Sequence, residues 1–294
     1  MALLQIEEPT ETLSSRAWAR FRRHRLAIAS TVVLAVILLL VIAAPLLAPH
    51  GPIYLDVMNR FASPDADHLL GTDRVGRDVW ARVLYGGRVS LSVSLVITGI
   101  LFTIGIVAGA VSGYAGGVVD VILQRTMEIV NAMPALIIVI SIAALSGDPN
   151  IVVTMIVLGL LGWGEIYRFV RGQILSLREE DFVMAARSIG VTQRKIVLRH
   201  VLPNVVPYLV VQLAFSLPGA ILTETSLSFL GLGVQEPTAS WGNVVGAVRS
   251  LDNLEKRPWM WLPAGFMITL TVLCINFIGD ALRDALDPRA LIEK

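Results

Sequence analysis

The dominant constraint in this sequence is a set of apolar runs too long for a water-soluble core. Leu26–Ala48 carries no charged side chain, and neither does Leu91–Val111. A helix needs about 20 mostly apolar residues to cross the hydrocarbon of a bilayer. Further runs follow at Val118–Leu145, interrupted by Pro134, and at Ile151–Val170, the least pure of the set. Val205–Leu230 contains Pro207 and Pro218, and Trp261–Leu282 completes the series. An all-α polytopic membrane protein with six spans is expected. Composition agrees: 16% of residues are charged and the mean hydropathy is +0.70, where a soluble domain carries about 25% charged residues. Leu26–Ala48 exceeds the apolar stretch of about 7–15 residues in a signal peptide and follows a long polar segment, so it reads as a retained anchor.

Arg and Lys set the orientation, because they gather on the cytoplasmic side. Arg16, Arg20, Arg22, Arg23 and Arg25 precede the first span, and placing them inside puts both termini in the cytoplasm. The connection between spans four and five then lies inside as well. On this arrangement sixteen basic residues are cytoplasmic and eight are outside. The expected divisions are a cytoplasmic segment 1–25, a first span 26–48, an outer loop 49–88, a five-helix core 89–282 and a tail 283–294. A cytoplasmic loop, 178–207, lies within that core.

Several chemistries are excluded or unmarked. A P-loop places a lysine directly after a glycine to hold nucleotide phosphates. The three lysines, Lys195, Lys256 and Lys294, all lack that neighbour. No His-Glu-x-x-His or Cys-x-x-Cys pair is present, and the lone Cys274 sits in an apolar run. No catalytic, cofactor-binding or metal-ligating set is expected. The net charge of +1 argues against a nucleic-acid partner.

The most informative stretch is Arg178–Pro207. Glu179, Glu180 and Asp181 suit a helix N-terminus. Phe182, Ala185, Ala186 and Ile189 then share one helical face. Gly190 suits the left-handed residue that ends a helix. Thr192 can begin a second short helix with Ile196, Val197 and Val201 on its apolar side, and Pro203 and Pro207 mark its end. The residues alone allow two uses for such an element: resting on lipid headgroups or docking on a protein.

Ala185-Ala186-x-x-x-Gly190, followed by Leu202-Pro203, resembles the EAA loop of ABC-importer membrane subunits. Met184 stands where that motif usually has Glu, and His200 where it usually has Ile. Three further stretches resemble the oligopeptide/dipeptide/nickel branch, specifically the "C" subunit of its permease pair. They are His68-Leu69-Leu70-Gly71-Thr72-Asp73 through Asp78, Ser226–Gly233 with Pro237–Gly242, and Gly279–Pro288. The resemblance implies a type I importer permease fold with a cytoplasmic coupling helix. It assigns ATPase coupling to Asp181, Phe182, Met184, Ala185, Ala186, Arg187, Gly190, Arg194, Arg199, Leu202 and Pro203. It also implies a second permease subunit, one or two ATP-binding subunits carrying ATP and Mg, and an extracytoplasmic binding protein, all at a prokaryotic cytoplasmic membrane. Peptides are the expected cargo; nickel complexes, glutathione or another small solute are the alternative.

Charges within spans are costly and turn toward protein or water. Glu128 has Arg125 one turn earlier, which allows an internal pair; with Glu224 it is a candidate for the translocation path or a contact with the sister subunit. Glu224 suits either the translocation path, or a helix–helix hydrogen bond or sister-subunit contact. Gly99, Gly105, Gly109 and Gly113 are spaced for close helix packing. Pro134 and Pro218 suit kinks. In the outer loop, Asp78–Leu84 suggests a short interfacial helix with Trp80 and Tyr85 as anchors, and the loop with Val234–Trp259 is expected to receive the binding protein. An ion-coupled secondary transporter would instead show an internal repeat and more midplane charge, and no clear repeat is visible.

Overall fold

The computed structural model describes residues 18–146 and 151–286, apart from the side chains of Ala143, Ser146 and Arg194. Expectations for residues 1–17, and for the tail beyond Leu286, including Pro288, lie outside these. Among the described residues there is no strand, only an isolated antiparallel bridge between Thr72 and Asp78.

Helix α1 (Arg25–Ile42) is the first span, and the short α2 (Ala44–Leu47) follows it. His24 caps α1, its Nδ1 accepting from the Ala27 amide at 3.2 Å. Helix α3 is Val79–Ala115, twelve residues longer at its start than the expected span two. Asp78 caps it through the Ala81 amide at 2.7 Å. No proline separates Val79 from Leu91, and the helix runs through Gly86 and Gly87, so the expected interfacial helix is the first turns of α3. Its 37 residues extend about 56 Å, well past the hydrocarbon layer of about 30 Å.

The third run divides into α4 (Gly117–Ala132) and α5 (Ala135–Ser146), bent by 74°. Pro134 lies at the break, where it has no amide to continue the ladder. The fourth run becomes α6 (Ile151–Gly162) and α7 (Gly164–Leu177), a segment seven residues longer than expected. Among the described residues, five helical segments are long and apolar enough to cross a membrane, and the bent α4–α5 pair makes a sixth if counted as one span. After α8 (Asp181–Ser188) and α9 (Gln193–Ile196), a π-turn over Val197–Val201 leads directly into α10 (Leu202–Leu230). Pro203 and Pro207 do not separate a short helix from span five; Pro203 sits in the first turn of α10, where its missing amide costs little, and Pro207 lies inside the helix. Helices α11 (Trp241–Val245) and α12 (Leu251–Lys256) precede α13 (Leu262–Leu286), the last span.

The main core joins α3, α7 and α10 through Ile97, Leu101, Ile166, Val170, Ile174 and Leu209. Helices α3 and α7 run side by side in the same direction. A Cβ at Gly105 would lie 2.6 Å from the Ile166 Cβ, one at Gly109 would lie 2.8 Å from the Tyr167 carbonyl oxygen and from Val170, and one at Gly113 would lie 3.0 Å from the Arg171 carbonyl oxygen. Missing side chains let the two backbones meet. Gly99, grouped with these by spacing, meets nothing within 4 Å.

A second core at the other end centres on the fully buried Trp241. Its Nε1 donates to the Val83 carbonyl at 2.9 Å, and its backbone amide donates to Ser90 Oγ at 3.1 Å. This end also holds the outer loop. Arg77 Nε donates to Asp73 at 2.7 Å and Arg77 Nη1 donates to Glu236. Arg82 donates to Glu236 at 3.0 Å and to Asn243 at 3.3 Å. The buried His68 places Nδ1 2.9 Å from Asp78 and Nε2 3.6 Å from Asp56. The outer loop is thus clamped to the start of α3 and to the segment before α11.

Two consequences are testable. Gly109→Leu overpacks the α3–α7 seam at a cost of about 1–3 kcal/mol, so the detergent-solubilised chain melts at a lower temperature. Gly99→Leu leaves melting unchanged. The second concerns His68. Burial disfavours its cation, but the hydrogen bond and charge of Asp78, with Asp56 and Asp65, outweigh burial and raise its pKa above the ordinary 6.5. A raised folded value means the clasp is fully present below about pH 6.5 and is lost as pH rises through that elevated value. Hydrogen exchange across residues 54–73 is expected to be slower at about pH 5.5 than at about pH 8.5 after correction for intrinsic rates. His68→Gln removes the difference.

Candidate functional site

The α8–α9 elbow lies at the end of the molecule opposite the outer loop. Gly190, at φ +79°, ends α8 in the left-handed region. The Gly190 amide donates to the Arg187 carbonyl at 3.0 Å and the Val191 amide to the Ala186 carbonyl at 3.1 Å. This is the Schellman pattern, which satisfies carbonyls that the helix end leaves open. The reversal turns Val183 and Ala186 inward, into one cluster with Ile196, Val201 and Val205. The expected face is therefore split. Ala186 is buried, while Phe182, Ala185 and Ile189 point outward, with Ile189 81% exposed. Asp181, Met184, Arg187, Gly190, Arg199 and Pro203 are also exposed and Leu202 is half-buried. The side chain of Arg194 lies outside the described residues.

The elbow follows a polar knot that sequence reasoning passed over. Arg171 on α7 grips Asp120 on α4 with two hydrogen bonds, Nε at 2.6 Å and Nη2 at 2.7 Å. Ser112 of α3 donates to the same carboxylate, and its oxygen lies 2.8 Å from the Tyr167 hydroxyl. Arg178, capping α7, reaches the Gly113 carbonyl at 3.4 Å. Such a two-pronged pair fixes geometry as well as charge. Its sequence signal was faint, because Asp120 and Arg171 are 51 residues apart.

Within the spans, the two carboxyls picked out from sequence take different positions. Glu128 pairs with Arg125 Nη1 at 2.6 Å on the exposed face of α4. Glu224 is 2% exposed and turned into the chain, where Ser228 donates to it at 2.8 Å. Ser90, Thr225 and Ser240 also face it. Glu224 therefore joins α10 to α3 and α11, with no carboxyl surface presented to a solute or a neighbouring subunit.

A different carboxyl borders open space. Helices α3, α4, α6, α7 and α10 enclose a one-sided cavity of about 570 Å³. Its α10 wall carries Gln212, Ser216, Gly219 and Thr223, and its α7 wall carries Glu165. The α10 set falls at i, i+4, i+7 and i+11, one helical face, and that spacing was available from sequence. At the outer end, a second cavity of about 700 Å³ lies between the Arg77–Arg82–Glu236 cluster and α12.

Comparison with known proteins gives these features a context. Residues 105–292 match the family described as binding-protein-dependent transport system inner membrane component. Residues 12–64 match the N-terminal TM domain of oligopeptide transport permease C. The oligopeptide transport system permease protein OppC of Escherichia coli K12 is 41% identical over 288 residues, covering 97% of this chain and 94% of that protein. OppC of Haemophilus influenzae is 42% identical over 274 residues, 92% of this chain and 86% of that one. The dipeptide transport system permease protein DppC of Bacillus subtilis is 37% identical over 286 residues, 97% and 88% respectively. A membrane-spanning architecture, an elbow with the EAA pattern and similarity over most of the length lead to one conclusion: the chain belongs to the family of binding-protein-dependent transport system inner membrane components, as a multi-pass permease subunit of an ABC transport system.

Proposed function

We propose that this subunit forms half of the pathway of an ATP-driven peptide importer and is driven through the α8–α9 elbow by a separate ATPase. The observation that carries the reading is the elbow itself. A short helix is held rigidly from beneath by Val183 and Ala186 while it exposes Phe182, Met184, Ala185 and Ile189. Exposed apolar side chains on an anchored helix favour a protein groove. Peptide cargo is supported by the named oligopeptide and dipeptide relatives.

In this reading both termini and the elbow are cytoplasmic. ATP and Mg reside on one or two ATP-binding partner subunits. A second permease subunit closes the open side of the 570 Å³ cavity. The extracytoplasmic binding protein meets the outer loop and the segment before α13. The ATPase must hold the elbow differently in its two states, since only differential binding shifts an equilibrium.

Ala185→Arg and Gly190→Pro are the informative variants. The first adds bulk and charge to the exposed face. The second forces φ to about −65° where the chain has +79°, and removes the amide that bonds Arg187. With partner subunits in liposomes, each is expected to insert normally and to lose uptake about tenfold or more, equivalent to about 1.4 kcal/mol or more of docking energy. Normal ATP-driven uptake by either variant refutes the assignment. An elbow that only rests on lipid predicts retained co-purification with the ATPase.

A further inference from the structure

We propose that Glu165 is the counter-ion for the amino terminus of a peptide in transit. This deepens the importer reading of the 570 Å³ cavity and rests on it. Glu165 lies near the middle of the Ile151–Leu177 span and borders that cavity. An ionisable side chain at such depth is costly unless it faces water, protein or an opposite charge. Glu165 stands in the first turn of α7, and among the described residues no side chain hydrogen-bonds or ion-pairs with it. Arg168, one turn further on, directs its Nη1 to the Met127 sulfur at 3.9 Å. Arg125 is held by Glu128 and Arg171 by Asp120. The carboxyl is left facing open space.

The rest of the cavity fits a peptide backbone. Gln212 and Thr223 line the α10 wall, and the Asn131 amide of α4 lies against Gly164, beside Glu165. Ile97, Leu101 and Phe215 add apolar surface that discriminates little among side chains. A volume of about 570 Å³ suits a small ligand, and a sister subunit would enlarge it. Short peptides of any sequence share a terminal ammonium and a run of amides. A carboxyl beside amide-bearing side chains reads those shared features, so it selects a class of cargo rather than a sequence.

The test uses the whole importer in liposomes, with the binding protein saturated by a tripeptide or by its N-acetylated counterpart, and loading verified by titration. Glu165→Gln, nearly isosteric, is expected to slow uptake of the free-amine peptide about tenfold or more, as loss of a charge-assisted contact implies. Uptake of the acetylated peptide stays at the wild-type rate, and Glu165→Asp retains part of the preference. Equal slowing of both peptides marks Glu165 as structural and overturns the proposal, as does slowing of neither. Failure of the wild-type importer to move either peptide overturns the cargo reading itself, and this assignment with it.

Discussion

Everything else in this subunit depends on the seam between α3 and α7. Two transmembrane helices in lipid gain little from hydrophobic burial, because the tails around them are as apolar as leucine. Close van der Waals packing must supply the association. Gly105, Gly109 and Gly113 allow it by bringing the α3 backbone onto Ile166, Val170 and Ile174. At one end of the seam, Arg171, Asp120, Ser112 and Tyr167 complete the union with hydrogen bonds that also secure α4. That knot closes the end of the bundle from which the elbow emerges. The cavity wall at Glu165 and the elbow's attachment at Arg178 therefore sit on one rigid helix.

Much of the architecture was legible in the sequence, because lipid enforces a simple rule. Every backbone group must be satisfied within the segment, so long apolar runs become helices. The six runs follow from that rule, and the break at Pro134 from the amide that proline lacks. Helix ends followed less well. Hydropathy marks where a helix meets water, but α3 continues twelve residues beyond that point, because Trp241 and Ser240 pack against Gly87 and Gly86. The contacts that extend it come from residues about 150 positions away, which no local pattern reveals.

The functional residues divide in the same way. The elbow was legible because its chemistry is local: acids at a helix start, a glycine at its end and alanines between. Which face it buries was not, because Val183 and Ala186 turn inward only once the Gly190 reversal brings Ile196 and Val201 beneath them. The intramembrane carboxyls show the limit more sharply. Glu128 and Glu224 stood out in apolar runs, yet Glu224 is consumed by Ser228 and its neighbours inside the chain. Glu165 is hidden in the least apolar run, close to Arg168 and Arg171, where a charge looks unremarkable. That no described side chain pairs with it emerges only when the positions of those arginines are known.

In the proposed importer, the connectivity around the elbow gives movement at that end a route to the cavity. The elbow is bracketed by α7 before it and α10 after it, and those two helices carry the polar groups that line the cavity, Glu165 on one and Gln212 on the other. The two junctions differ. On the α7 side the chain leaves helical geometry at Glu180 before α8 begins. On the α10 side α9 runs through the Val197–Val201 π-turn into α10 without leaving helical geometry. π-turns inside helices recur at functional positions. Helix α7 is also fixed to α3 by the glycine seam, whereas the open side of the cavity leaves the polar face of α10 uncovered by its own chain. In the proposed importer a displacement of the elbow is delivered chiefly to α10, with α7 as the fixed side. In the proposed importer the distance between Glu165 and Gln212 becomes the variable that the ATPase controls, so one motion changes both access to the cavity and the geometry that holds the cargo.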